Sequence, residues 1–255
     1  MIAKWQKEAS ERPGWYHPPP CQTSRPPFCA LPSAPLAGQI LGRGSEQGSP
    51  YVQYGCGLSV AKGWRNFDGS PRLQLEKLPI LGRVLTRNRP LFPKEVDFGD
   101  IVRGLPLAEA SCKAMYCSHV LEHLCLRDCQ QALRNTRALL EPGGTFRVVI
   151  PDLRVLIEHY ISNSSPRAAS DFMRASCLGL ESRPRGFRGM LSAWLGNSPH
   201  LWMWDANSMQ EALAEAGFVD IRPAVFGDAS DPMFANVEER VRWKEGIGFD
   251  CRRPA

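Results

Sequence analysis

Apolar positions fall into short blocks through most of the chain, separated by stretches where they recur at helical spacing. Tyr51-Val-Gln-Tyr54 is a β-prone run that ends in Gly55-Cys-Gly57, and Trp64-Arg-Asn-Phe-Asp68 is a second run that ends in a carboxylate. Glu95-Val-Asp-Phe98 predicts a third strand, and the uncharged block Ala114-Met-Tyr-Cys117 a fourth. From about Asp128 the spacing changes: Leu126, Cys129, Leu133, Thr136 and Leu140 recur at three and four, the stripe of an amphipathic helix. Pro142-Gly-Gly144 stops that helix, and Thr145 to Ile150 predicts a fifth strand closed by Pro151-Asp152. Leu153, Leu156, Ile157 and Tyr160 again share a helical face. Ser208-Met-Gln-Glu211 reads as a capping box that opens a helix with Met209, Leu213 and Ala216 inward. Gly217 ends that helix, and Phe218-Val-Asp-Ile221 makes a late strand. Strands punctuated by helices predict an α/β fold, a Rossmann-like and mostly parallel sheet with helices on both faces.

The pattern also divides the chain. Residues 1–48 carry Pro18-Pro-Pro20, Pro26-Pro27, Pro32 and Pro35, and no apolar period survives between them, so a disordered leader is expected. The folded domain is expected over residues 49–245. Leu73, Leu75, Leu78 and Leu81 predict a helix-and-loop segment over the sheet edge. The polar run from Ser164 to Met190 holds Arg183, Arg185 and Arg188, and residues 160–205 form a candidate substrate cover.

Composition narrows the classes. With 255 residues and 43% hydrophobic content, the chain suits one α/β domain with extensions. No apolar run approaches the roughly 20 residues of a membrane helix, and the N-terminus shows no apolar signal core. A cytoplasmic protein with no membrane partner is expected. Nine cysteines, an odd count without a Cys-x-x-Cys pair, predict free buried thiols rather than a disulfide framework. The net charge of +5 is modest and scattered, so nucleic acid is not indicated as a partner.

Candidate chemistry starts at the glycine loop. Glycine lets backbone approach a ligand closely and accepts a positive φ, and a carboxylate at the next strand's tip can hold a ribose diol. The dinucleotide fingerprint needs a third glycine opening a helix and an acid about 20 residues on. Here Val60 stands at the third position and only residues 58–63 precede Trp64. A helix N-terminus for a pyrophosphate is therefore not expected. S-adenosylmethionine, which has no phosphate, needs none.

Taken together, Gly55-Cys-Gly57, Asp68, Ser118-His-Val-Leu-Glu-His-Leu124 and Leu140-Glu-Pro-Gly-Gly-Thr-Phe-Arg-Val-Val-Ile-Pro-Asp152 resemble a class I S-adenosylmethionine-dependent methyltransferase. The resemblance is nearest to a bacterial group with a Gly-Cys-Gly loop and spans roughly residues 50–240. It implies S-adenosyl-L-methionine as cofactor, held by Gly55, Cys56, Gly57, Asp68, Asp100, Ile101, Ser118 and His119. Asp68 would take the ribose hydroxyls, Asp100 the adenine amine and Ile101 the ring, while Ser118 and His119 would stand beside the methyl group. The acceptor would be a small molecule or sugar, with His119, Asp152 or His200 as the base if a proton must leave.

Two other classes stay open at this level. One is a non-catalytic binding module on the same fold. The other follows from His119-Val-Leu-Glu-His123, which spells the inverted zinc-peptidase motif. On one helix the two histidines would share a face and bind zinc, with Glu122 as base. Placed at a strand–helix junction, the motif instead predicts no metal, with His119 on the pocket wall and Glu122 and His123 orienting the helix start.

Overall fold

The computed structural model describes residues 49–77, 90–186, 189 and 199–255. The predicted leader, Leu78, Leu81, Arg188 and part of the candidate cover lie outside the described residues. Strands β1 (Tyr51–Tyr54), β2 (Arg65–Asp68), β3 (Val96–Phe98), β4 (Cys112–Ser118), β5 (Leu140–Pro151), β6 (Val219–Ala224) and β7 (Gly246–Arg252) form one sheet. Its order is β3-β2-β1-β4-β5-β7-β6. The first five strands run parallel, and β7 lies antiparallel between β5 and β6. This is the mostly parallel, Rossmann-like sheet that the pattern predicts. Helices α1 (Pro71–Glu76), α2 (Leu126–Leu139), α3 (Leu153–Ser162), α4 (Ala168–Ala175) and α5 (Ala206–Glu215) connect it.

Alternation along the central strands decides what each face buries. Val52 and Tyr54 of β1, Met115 and Cys117 of β4, and Phe146, Val148 and Ile150 of β5 share one face. They pack on Cys129, Ala132 and Leu133 of α2 and on Met209, Ala212 and Leu213 of α5. The intervening residues Ala114, Tyr116 and Val149 meet Ala61, Trp64, Phe234 and Val237 on the other face. There the cover consists of short 3-10 turns, Pro232–Asn236 and Arg240–Trp243, in the β6–β7 connection. Residues 58–64 form turns and no helix between β1 and β2, as their number predicts. The β6–β7 connection fills the space such a helix would take.

Within this cover Arg147 of β5 is fully buried and meets three carboxylates. It donates to Glu238 at 2.6 Å, Asp250 at 2.7 Å and Asp228 at 2.8 Å. Its guanidinium also lies 4.8 Å from the centre of the Trp243 ring. Gly248 makes room for that indole, because a Cβ there would sit 2.3 Å from Trp243 Cζ3.

Several boundaries differ from expectation. β7 lies beyond residue 245, the expected edge of the domain, and supplies the strand between β5 and β6. α5 is capped by Asp205, whose carboxylate accepts the Ser208 N–H while Ser208 Oγ accepts the Asp205 N–H. The box is therefore Asp205 and Ser208 rather than Ser208 and Glu211, because the nearer acid reaches the free N–H groups first. α2 starts at Leu126, and Leu140 opens β5 instead of closing the helix. Of the apolar face read in α3 only Leu156 is buried; Ile157 and Tyr160 are exposed, and the Tyr160 ring meets Phe172 of α4 at a tilt, centroids 5.6 Å apart. No helix among the described residues is long and apolar enough to cross a membrane. Their seven cysteines are all free, five buried and Cys125 and Cys177 exposed.

Candidate active site

The glycine loop sits where β1 leaves the sheet. Gly55 and Gly57 have φ of +66° and +56°, a region that side chains rarely adopt. Gly55 also lies against the exit of β4, since a Cβ there would come 2.0 Å from Val120 Cγ2. Cys56 N donates to the Phe67 carbonyl at 3.1 Å and so stitches the loop to β2. Asp68, at the tip of β2, is buried and completes the stitch. Its Oδ2 accepts the Gly57 N–H at 2.9 Å and its Oδ1 the Ser70 N–H at 2.8 Å. Burial, reinforced by the Asp68 charge, pushes the Cys56 thiol up to about 12, so this cysteine is a neutral wall of the loop.

Asp100 and Ile101 follow β3. Asp100 Oδ1 accepts the Val102 N–H at 2.9 Å, which caps the turn. Ile101 is buried, and its carbonyl accepts a bond from Asn135 Nδ2 of α2 at 2.7 Å. Gly69 lets the β2 and β3 tips approach, with Asp100 Cα 3.6 Å from where its Cβ would be.

At the end of β4 the structure brings several expected residues together. Gly55, Cys56 and Ser118 line one recess with Tyr116, Ser59, Glu239 and Arg242. The hydroxyls of Ser118 and Tyr116 are buried and have no hydrogen-bond partner among the described residues. Burial pushes the Tyr116 phenol up to about 12. Glu239 accepts from Ser59 Oγ at 2.7 Å, and that bond holds its carboxyl below its ordinary range. The pair closes the outer wall.

His119 stands next in the chain with a φ of +56°, so it leaves the strand direction at once. Its Nε2 lies 2.7 Å from the Arg242 carbonyl and must donate, because a carbonyl only accepts. Its Nδ1 is 3.3 Å from Glu122 Oε1. A neutral ring would turn a lone pair toward that carboxylate. Burial works to lower the His119 pKa, but Glu122 and the Arg242 carbonyl together raise it. The helical pairing of His119 with His123 that the zinc-peptidase alternative needs is absent, since only Leu121–His123 makes a 3-10 turn.

Asp152 and His200 lie elsewhere. Asp152 caps α3, its Oδ1 accepting the Arg154 N–H at 2.8 Å, and pairs with Trp204 in an isolated bridge. Its geometry is that of a helix cap. His200 stacks edge-on against His123 with centroids 4.8 Å apart, and burial lowers its pKa. Glu239 and Arg242 escape sequence reasoning: Ser59 and Glu239 are 180 positions apart, and no local pattern joins them.

A glycine loop tied to an acidic strand tip, at the carboxyl ends of a parallel sheet, defines a nucleoside-binding enzyme of the Rossmann-like class. The family described as a methyltransferase domain matches residues 47–222, and the chain belongs to that family. It is an S-adenosyl-L-methionine-dependent methyltransferase. Among solved structures it is similar to a complex between the Haloferax volcanii Trm112 methyltransferase activator and a methyltransferase, at 17% identity and TM-score 0.44, covering 82% of this chain and 84% of that one. It is also similar to an S-adenosylmethionine-dependent methyltransferase of Thermotoga maritima, at 14% identity and TM-score 0.42, covering 84% of each chain. A third is the Haemonchus contortus phosphoethanolamine N-methyltransferase 2 with S-adenosyl-L-methionine, at 10% identity and TM-score 0.40, covering 80% of this chain and 48% of that one. No curated protein matches the chain.

Proposed function

We propose that this protein transfers a methyl group from S-adenosyl-L-methionine to a small-molecule or sugar acceptor at the exit of β4. The observation that carries the reading is the recess itself. The glycine loop held by Asp68 faces two buried hydroxyls, Ser118 and Tyr116, that have no partner among the described residues. Unpaired buried polar groups are costly unless something binds them.

The residues fit the cofactor in kind. Gly55, Cys56 and Gly57 present backbone, and each Asp68 oxygen keeps lone-pair capacity beyond its one N–H bond for ribose hydroxyls. Asp100 and Ile101 would meet the adenine, and Ser118 and His119 the methyl end. When bound, the cofactor supplies a methyl group already activated on a sulfonium, with a neutral thioether as leaving group. The chain's own task is then to align the acceptor and exclude water. Of the three proposed bases, His119 is nearest the recess in the chain and in space, through its bond to Arg242. It must release the Arg242 carbonyl or turn before it can take a proton. Asp152 and His200 would act only on an acceptor that reaches across from the recess.

Isothermal titration with S-adenosylmethionine, S-adenosylhomocysteine and NAD tests the cofactor reading. Binding of the first two without NAD is expected; tight NAD binding without S-adenosylhomocysteine binding would sink it. An acceptor screen that reports S-adenosylhomocysteine formation then names the substrate class.

A further inference from the structure

Next to the recess lies a cluster of which the methyl-transfer reading uses neither Glu122 nor His123. The geometry points to a divalent transition-metal site of the zinc class, held by Glu122, His123 and His200. One ligand atom from each of these residues lies within 4.8 Å of the other two. A four-coordinate ion with bonds of about 2.0–2.2 Å keeps its ligand atoms roughly 3.3–3.6 Å apart, so a small closure of the side chains would seat one. Two imidazoles and a carboxylate suit zinc, iron, cobalt or manganese rather than calcium or magnesium.

The second observation is the state of Glu122. Its side chain is fully buried, yet neither carboxylate oxygen accepts a hydrogen bond among the described residues. A buried carboxylate is normally paired, hydrogen-bonded or bound to a metal. His119 Nδ1, at 3.3 Å, is its one ion-pair neighbour among the described residues, and a metal would satisfy the rest.

The backbone also builds the site. The Glu122 carbonyl accepts the N–H of Leu201 at 2.7 Å and of Trp202 at 3.2 Å, and His200 N donates to the Cys177 carbonyl at 3.1 Å. These bonds pin the 199–202 segment onto the 3-10 turn and bring His200 to His123. His123 Nδ1 lies 3.4 Å from the Pro199 carbonyl. With the proton on Nδ1 that contact is a hydrogen bond and Nε2 is free to bind a metal, the usual outer support of a metal-binding histidine. Three protein ligands leave one position open to water. The arrangement differs from the inverted zinc-peptidase reading of the sequence. His119 faces the Arg242 carbonyl and is no ligand; His200, far along the chain, replaces it.

The test is equilibrium binding of Co(II) to the full-length protein after chelation and dialysis, followed by absorption spectroscopy and melting with and without the ion. One ion per chain is expected, without the thiolate-to-cobalt band that cysteine ligands would give, together with a higher melting temperature. Glu122→Gln, His123→Ala and His200→Ala should each weaken binding at least tenfold, while His119→Ala keeps it. If a variant fails to fold, the stoichiometry and melting shift of the unaltered protein still decide. No stoichiometric ion, a thiolate band, or loss of the ion in His119→Ala with retention in His200→Ala would overturn the site. S-adenosylhomocysteine binding on the same samples reads the cofactor site separately, so either proposal can fail alone.

Discussion

At the scale of the residue, Asp68 accepts two backbone N–H groups that shape the glycine loop. In the proposed function the same carboxylate would also take the ribose hydroxyls with its remaining lone pairs. Asp68→Ala therefore removes the loop's anchor and the diol's acceptor together. Cofactor affinity should fall by roughly 1.5–3 kcal/mol, a tenfold to more than hundredfold loss, read by isothermal titration. Unchanged affinity would move the ribose to another acid, with Asp100 the next candidate. The position of Asp68 was legible in the sequence because a short strand ending in an acid is a local pattern. Its bond to Gly57 N was not, since it needs β1 and β2 side by side.

At the scale of the element, β5 and β7 are joined by more than their ladder. Arg147 draws Glu238, Asp228 and Asp250 onto the sheet and anchors the connection that replaces a crossover helix. Removing one member of such a buried group leaves the others unpaired. Arg147→Ala should lose about 3–5 kcal/mol of stability in chemical denaturation, and an effect below about 1 kcal/mol would refute the anchor. The same network sets the acid limit. Burial alone would raise the Asp228 pKa, but hydrogen bonds from Arg222 and Arg147 hold it below the ordinary carboxylate range. A carboxylate depressed in the folded state contributes stability above its unfolded pKa and loses it as pH falls through the folded one. Melting temperature should thus stay level from neutral pH to about 4 and drop below it, the fall being shallower in Asp228→Asn.

At the scale of the whole molecule, the described residues form one open sheet with β3 and β6 at its edges. Its parallel half is covered by α2 and α5, and its other face by the β6–β7 connection. Deleting residues 1–45 should leave the melting temperature and cofactor affinity unchanged, because their proline spacing predicts no packed element. A truncated protein that aggregates or melts much earlier would show that the leader covers an apolar face.

The sequence by itself determined the parallel strands, the glycine loop, the acidic tip and the main crossover helix. Each of these is written within a dozen or so neighbouring residues, as period, turn chemistry or a chain-local motif. It also showed that no helix fits between β1 and β2, since too few residues lie there. Only the tertiary structure decided what fills that gap, because the Trp64, Tyr116 and Phe234 contacts join segments far apart in the chain. The same holds for β7, whose short apolar run carries no sign of the antiparallel place it takes between β5 and β6. It holds for Asp152, whose carboxylate caps α3 in the folded chain. And it holds for His200, which chain order places in a cover and backbone bonds to Glu122 bring beside His123. Local propensity sets the elements; which distant side chains share a crevice depends on how those elements pack.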